Sequence, residues 1–260
     1  MSTSLHAVRR GTGKPLVLVH GLGSSWATWV PVLDALAAER RVVAVDLPGF
    51  GDRAPFDGPV TIATLTDALS GFLEAEDLPD ADVVGRSMGG RIVLELARRG
   101  HAGSVVALDP GGFWSHTERA LFRSTIGASA ALVRSLQGAA PALSRSPVGR
   151  TALFSQFSAH PRALDPGVAL SELRSIARAT RFDEALHALG HGPGQAGRVE
   201  TDGRVAIGWG RQDRVTLPRQ ATVALAAFPT ARFHGFHSCG HFPHWDQPAE
   251  TVRFILRSTR

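Results

Sequence analysis

The chain has 260 residues, 43% of them hydrophobic, and a net charge of +5. That is enough apolar sequence for a sizeable core in one domain with room for an insertion. Its cations are almost all arginine and lie scattered without interleaved aromatics, which excludes a nucleic-acid track. A single cysteine, Cys239, excludes an internal disulfide framework. No apolar run approaches the roughly 20 residues of a membrane span, and the opening MSTSLHAVRRGTGKP lacks the apolar stretch of a signal peptide. A soluble cytoplasmic protein, monomer or homodimer, acting on a small molecule is the expectation.

In chain order, LVLVH (16–20) reads as a first buried strand, followed by the loop His20-Gly21-Leu22-Gly23. Its glycines lack the third member of a dinucleotide fingerprint, and GTGK (11–14) lacks the spacing of a phosphate loop. His20 is expected to shape the loop by hydrogen bonding. WATWVPVLDALAAE (26–39) predicts a helix, with Trp26 either a pocket wall or a core residue. VVAVDLP (42–48) predicts a strand, and Asp46 in DLPGFG a turn anchor whose glycines tolerate positive φ. TIATLTDALSGFLEAE (61–76) predicts the next helix, DVVG (82–85) the next strand, and MGGRIVLELARRG (88–100) a helix stopped by Gly100. SVVALDP (104–110) is again strand-like.

The alternation then breaks. From Ser115 to about Leu189 the pattern is helical, and HGPGQAG (191–197) reads as a loop returning the chain to the sheet at RVAIGWG (204–210), before a last strand ARFHGF (231–236). The strand runs are apolar on consecutive positions, as in strands covered on both faces of a parallel sheet. The fold class is therefore α/β, a mostly parallel sheet flanked by helices with right-handed crossovers. The expected division is a core of residues 1–113 and 197–260 with a helical cap inserted at 114–196. Trp114, at the start of that insertion, is a pocket wall or a core residue.

Gly85-Arg86-Ser87-Met88-Gly89 follows a predicted strand and opens a predicted helix. A serine held on such a strained turn projects its Oγ above the sheet edge, and glycines two positions either side remove the clashes. The bland alternative is glycines closing a tight turn. A serine nucleophile needs a base, and the base needs an acid. Among eleven histidines, His241 in SCGHFPHWDQP follows the last strand and suits the base. Asp213, in GRQDRVTLP after RVAIGWG, suits the acid, with Asp109 at the end of SVVALDP as the alternative. The N–H groups of Leu22 and Met88 are the candidate oxyanion donors. Arg86 could meet a substrate carboxylate or turn away to pair with an acid. His234, His237, His241 and His244 cluster in sequence, but their spacing lacks a known ligand set, so no metal and no cofactor is expected.

HGLGSSW (20–26), DLPGFGDR (46–53), GRSMGGR (85–91), GRQDRVTLP (210–218) and GHFPHWDQP (240–248) together resemble an α/β-hydrolase of the serine-nucleophile branch with a helical cap. The resemblance implies a hydrolase, an esterase or a carbon–carbon bond hydrolase of ring-fission products, with triad Ser87, Asp213 and His241. Those C–C hydrolases tend to carry asparagine before the serine and tryptophan after the histidine. Here Arg86 and Phe242 stand there, which favours a carboxylic ester as substrate and Phe242, with Arg86, as substrate contacts. Lyase or perhydrolase use of the same residues, or a ligand-binding member without chemistry, are the other readings.

Overall fold

The structure is a computed structural model describing residues 5–52, 54–55, 57–197 and 205–259. The chain's start, Arg53 of the DLPGFGDR motif, and Arg204 with the segment before it lie outside the described residues. Among those described, seven strands form one sheet: β1 (His6–Arg10), β2 (Pro15–Val19), β3 (Arg41–Asp46), β4 (Asp82–Arg86), β5 (Val105–Leu108), β6 (Val205–Gly210) and β7 (Arg232–Phe236). Their order across the sheet is β1-β3-β2-β4-β5-β6-β7. All neighbours pair parallel except β1, which runs antiparallel to β3.

Helices α1 (Val30–Ala37), α2 (Ile62–Ala75) and α3 (Met88–Arg98) are the early crossovers. Among the described residues, five α-helices then lie between β5 and β6: α4 (His116–Ser135), α5 (Ala140–Arg145), α6 (Pro147–Phe154), α7 (Pro166–Arg178) and α8 (Phe182–His191). The chain closes with α9 (Gln220–Ala227), α10 (Pro243–Asp246) and α11 (Pro248–Ser258).

The consecutive apolar residues of each strand divide between two cores. In β2, Leu16 and Leu18 pack with Leu36 of α1 and Ile255 of α11. Val17 and Val19 belong to the opposite layer, with Leu69 of α2, Ile92 of α3 and Ala224 of α9. Val84 and Val106 repeat the first pattern, Val83 and Val105 the second. This double burial is why the strands show no polar alternation.

β1 is not among the expected strands. It is an edge strand with Arg9 and Arg10 exposed, and such charges, which keep an open edge from pairing further, also erase its apolar signal. The 26–39 segment opens as a 3-10 turn, Trp26–Trp29, and is α-helical only from Val30 to Ala37. The SVVALDP run stops at Leu108 because Asp109 turns to φ +46°.

Between β4 and α3 the chain reverses on Ser87, at φ 52° and ψ −115°. A β-carbon on Gly85 would overlap the Gly89 carbonyl, and one on Gly89 would overlap the carbonyls of Val19 and His20. The turn is closed only because these positions carry no side chain. Gly85→Ala is expected to cost about 3 kcal/mol, the upper end for overpacking, since the obstructing atom is backbone. Urea unfolding checks it, as a lower midpoint at unchanged slope.

Candidate active site

Ser87 stands half-buried at the sheet's C-terminal edge and lines a cavity roofed by the helical excursion. From the sheet side the walls are Leu22, Arg86, Ser87, Val215, His241 and Phe242. The helical excursion supplies the rest, chiefly Phe122, Ile126 and Val133 of α4, Phe154 of α6, Leu173 and Ile176 of α7, and Phe182 of α8. The lining is mainly apolar, with Arg86, Glu172 and His241 its ionisable members among the described residues.

His241 follows β7 on a loop that α10 continues, and its backbone N–H donates to the Phe157 carbonyl at 2.7 Å. Its ring is buried, and Nδ1 lies 2.8 Å from Asp213 Oδ2. With the Nδ1 proton donated to that carboxylate, Nε2 is the acceptor nitrogen, unbonded among the described residues, on a ring that lines the same cavity as Ser87. The Asp213 carboxylate also accepts from Val215 N at 2.7 Å, Thr216 N at 3.1 Å and the Thr216 hydroxyl at 2.7 Å. Four donors fix its position. Thr216, which also approaches His241 Nδ1 at 3.3 Å, was not anticipated.

Asp109, the alternative acid, is close by: one atom each from Asp109, Asp213 and His241 fall within 4.8 Å of one another. Yet no hydrogen bond joins it to the His241 ring. Its Oδ1 accepts from Gly210 N at 2.7 Å, while Oδ2 is buried without a partner among the described residues. Burial first, and then the charge of Asp213, push its carboxyl well above the usual range.

Met88 begins α3, so its N–H precedes the helical ladder; among the described residues neither it nor the Leu22 N–H donates a hydrogen bond. His20 underlies the Leu22 loop. Its Nδ1–H donates to Gly21 O at 2.7 Å and Nε2 accepts from Leu47 N at 3.0 Å. Burial lowers its pKa to about 4, so the ring is neutral and both bonds persist at neutral pH. Asp46 gathers the neighbouring turn, accepting from Trp26 N at 2.7 Å, Asp52 N at 3.1 Å and His6 Nδ1 at 2.7 Å.

Of the two roles its position allowed, Arg86 takes the pairing with an acid. It lines the cavity, and it pairs with an acid: Nη2 donates to Glu172 Oε1 at 2.8 Å, with both side chains buried. Glu172 Oε2 accepts from the Ser24 hydroxyl at 2.8 Å, and the Arg86 guanidinium lies 4.2 Å over the Phe242 ring. Burial pushes Arg86 down and Glu172 up, each opposed by the other's charge, so the pair carries no net charge in either proton arrangement. Glu172 was missed from sequence. Its signal was an acid on the apolar stripe Ala169, Leu173, Ile176 of α7.

Pocket-wall roles for Trp26 and Trp114 do not hold. Trp26 lies on a separate surface groove with Asp52 and Arg174. Trp114 is buried in the core, stacked at 4.7 Å on Phe122, which takes the wall position itself. The four clustered histidines diverge: His234 pairs with Glu250 at 2.8 Å, His244 with Thr28 at 3.1 Å and His241 with Asp213, while His237 is exposed.

The model of the alpha/beta hydrolase family matches residues 16–254. The chain belongs to that family. It is 30% identical to a 2-hydroxy-6-oxo-2,4-heptadienoate hydrolase of Pseudomonas putida, over 98% of this chain and 91% of that protein. It is 32% identical to a 2-hydroxymuconate semialdehyde hydrolase, also of Pseudomonas putida, over 97% and 87%. Among solved structures, an esterase from Thermogutta terrifontis superposes with a TM-score of 0.76 at 20% identity, covering 98% of this chain and 94% of that one. At that identity the likeness concerns the fold. No helix among the described residues is long and apolar enough to cross a membrane.

The neutral His20 has a pH signature. Its folded pKa of about 4 lies below the unfolded value near 6.5, so between these pH values only the unfolded chain takes up the proton, and stability falls as pH drops. His20→Gln, whose amide oxygen can accept the Leu47 N–H, is expected to shrink the loss between pH 7.5 and pH 5 by about 2 kcal/mol. Urea unfolding of parent and variant at both pH values checks it.

Proposed function

We propose that the protein is a serine hydrolase of small or medium organic carboxylic esters, working through Ser87, His241 and Asp213. The observation that carries the reading is the Asp213–His241 hydrogen bond of 2.8 Å on a ring sharing one apolar cavity with a serine at φ 52°.

Ser87 Oγ attacks the ester carbonyl carbon as His241 Nε2 takes its proton. The carbonyl oxygen, now negative, is received by the N–H groups of Leu22 and Met88, each such donor being worth about 2.7–4 kcal/mol in the transition state. Asp213 holds the imidazole in the tautomer required and stabilises the imidazolium. The tetrahedral intermediate expels the alcohol, which takes the proton from His241. Water, deprotonated by the same nitrogen, then attacks the acyl-enzyme, and the second tetrahedral intermediate expels Ser87 Oγ, which takes the proton back from His241 as the acid leaves. Asp109, whose carboxyl is pushed well above the usual range, makes no hydrogen bond to the His241 ring. Helices α4 to α8 act as the cap, roofing the acyl site with aromatic and aliphatic side chains.

A second reading is favoured by the names of the relatives at 30–32% identity, hydrolases of dienoate or semialdehyde compounds. The same residues would then break a C–C bond. Arg86 and Phe242, standing beside the serine and the histidine, weigh against it.

Incubation with a fluorophosphonate followed by intact-mass measurement tests the nucleophile: one adduct on the parent and none on Ser87→Ala is expected, with kcat on a pentanoate ester falling on the order of 10⁶-fold in the variant. An unlabelled, inactive parent would overturn the hydrolase reading. Product analysis with a ring-fission dienoate beside the ester separates the two bond types.

The acids are expected to differ sharply. Asp213→Asn lowers kcat about 10⁴-fold, the usual result when the wrong tautomer is imposed on the base. Asp109→Asn, which keeps an acceptor for Gly210 N and removes no hydrogen bond to the ring, changes kcat less than tenfold. Steady-state rates of the two variants check the assignment.

A further inference from the structure

Arg86 places a guanidinium in the wall of an apolar cavity, one residue from Ser87. An unopposed cation there would draw substrates whose acyl chain ends in a carboxylate. It is not unopposed. Glu172 reaches from α7 across the cavity to Nη2 at 2.8 Å, and both partners are at least nine-tenths buried. Phe242 covers the guanidinium face at 4.2 Å, and Nη1 lies so close over Gly21 that a β-carbon there would sit 3.1 Å away. On the acid's side, Ser24 donates to the second oxygen at 2.8 Å. The remaining ionisable wall residue, His241, has its own acid in Asp213.

We infer that Glu172 is a specificity-determining residue: by neutralising Arg86 it makes the acyl site of this enzyme select uncharged acyl chains and reject those ending in a carboxylate. The inference rests on the ester-hydrolase reading for its substrate, and on the cavity's geometry alone for its sign. A carboxylate entering this cavity would lose its water and find Arg86 already bonded. To bind, it must displace Glu172, which would leave that acid buried and unpaired. Binding by an uncharged chain disturbs none of these bonds. The pair spans the boundary between sheet and helical excursion, with Arg86 fixed by the strand and Glu172 delivered by the roof.

The matched pair of probes is ethyl pentanoate and monoethyl glutarate, which differ only in a terminal methyl against a carboxylate. Calorimetric titration on Ser87→Ala reads binding without turnover, and is repeated on Ser87→Ala with Glu172→Gln. The glutamine keeps an oxygen for Arg86 and removes the negative charge. The expected result on Ser87→Ala is at least tenfold tighter binding of the pentanoate, and in the Glu172→Gln background a shift of the ratio by tenfold or more toward the glutarate, as an uncompensated charge in a low-dielectric site predicts. Equal or tighter glutarate binding by Ser87→Ala overturns the inference, as does binding of neither probe. So does a Glu172→Gln background that weakens both probes alike, which is what a purely structural pair would give.

Should Glu172→Gln fail to fold, Arg86→Met with Glu172→Met removes both charges at similar volume, an exchange buried pairs often tolerate. The pentanoate must remain the preferred probe in that background, and a loss of preference would count against the inference. Turnover of both esters by the parent is measured beside the titrations. Selective pentanoate binding without hydrolysis would sink the ester reading and leave the charge selection standing.

Discussion

Three backbones come together at the C-terminal edge of β2 and β4 with nothing between them. Gly89 lies against the carbonyls of Val19 and His20, and Gly85 against the carbonyl of Gly89. That contact holds α3 hard against the strands, and the chain can enter the helix only through a residue at positive φ, which is Ser87. Strain of this kind costs about 1–3 kcal/mol and persists where the surrounding packing over-determines it. The same approach sets the His20–Leu22 loop beside the first turn of α3. One steric constraint therefore positions the hydroxyl, the helix N-terminus and the adjacent loop together.

Around this point charges are buried, and each is answered. Asp213 receives four donors, one of them the His241 ring, and Arg86 receives Glu172. Asp109, the carboxyl left without a donor on one oxygen, is the one pushed toward its neutral form. Burying a lone charge costs several kcal/mol, so in such a setting it is the pairing, more than the exposure, that decides which groups stay ionised. Two carboxyls so close cannot both ionise cheaply, and the difference in their hydrogen bonds settles which gives way.

Sequence and structure agree where the physics is local or strictly periodic. Strands covered on both faces read as unbroken apolar runs, and Gly85 is required by the Gly89 carbonyl within the same turn, although Gly89 itself answers to the carbonyls of Val19 and His20 on β2 and the loop after it. Asp213 could be nominated because it follows the buried strand β6, and His241 because it follows the last strand, β7. The edge strand β1 gave no such signal, since its arginines face water. Glu172 pairs with a residue 86 positions away, and nothing in a single chain announces a partner at that distance beyond the oddity of an acid on an apolar helix face. Trp26 and Trp114 show the converse: large aromatics near the motifs invite a pocket role, but which of them faces a cavity depends on how α4 packs, and Phe122 occupies the wall that Trp114 supports.

The helical excursion is joined to the sheet in two chemically different ways. Near His241 the bonds are polar and partly backbone: the Phe157 carbonyl accepts from His241 N at 2.7 Å, and Asp246 accepts from Ser158 Oγ at 2.5 Å, Ala159 N at 2.8 Å and Gly240 N at 2.7 Å. Across the cavity, α4 contributes mainly apolar contacts with an exposed Glu118–Arg219 pair, whereas α7 and α8 add polar bonds: Arg86–Glu172, Ser24–Glu172, Ser25–Ser175 and Val60 N to Glu184. Apolar surfaces slide and re-form without leaving a polar group unpaired, whereas parting the 157–159 segment from the histidine loop would strand several donors and a carboxylate at once. The histidine loop and segment 157–159 thus behave as one unit. Widening of the cavity is cheapest on the α4 side, where it parts neither the buried Arg86–Glu172 pair nor the bonds of His241 and Asp213.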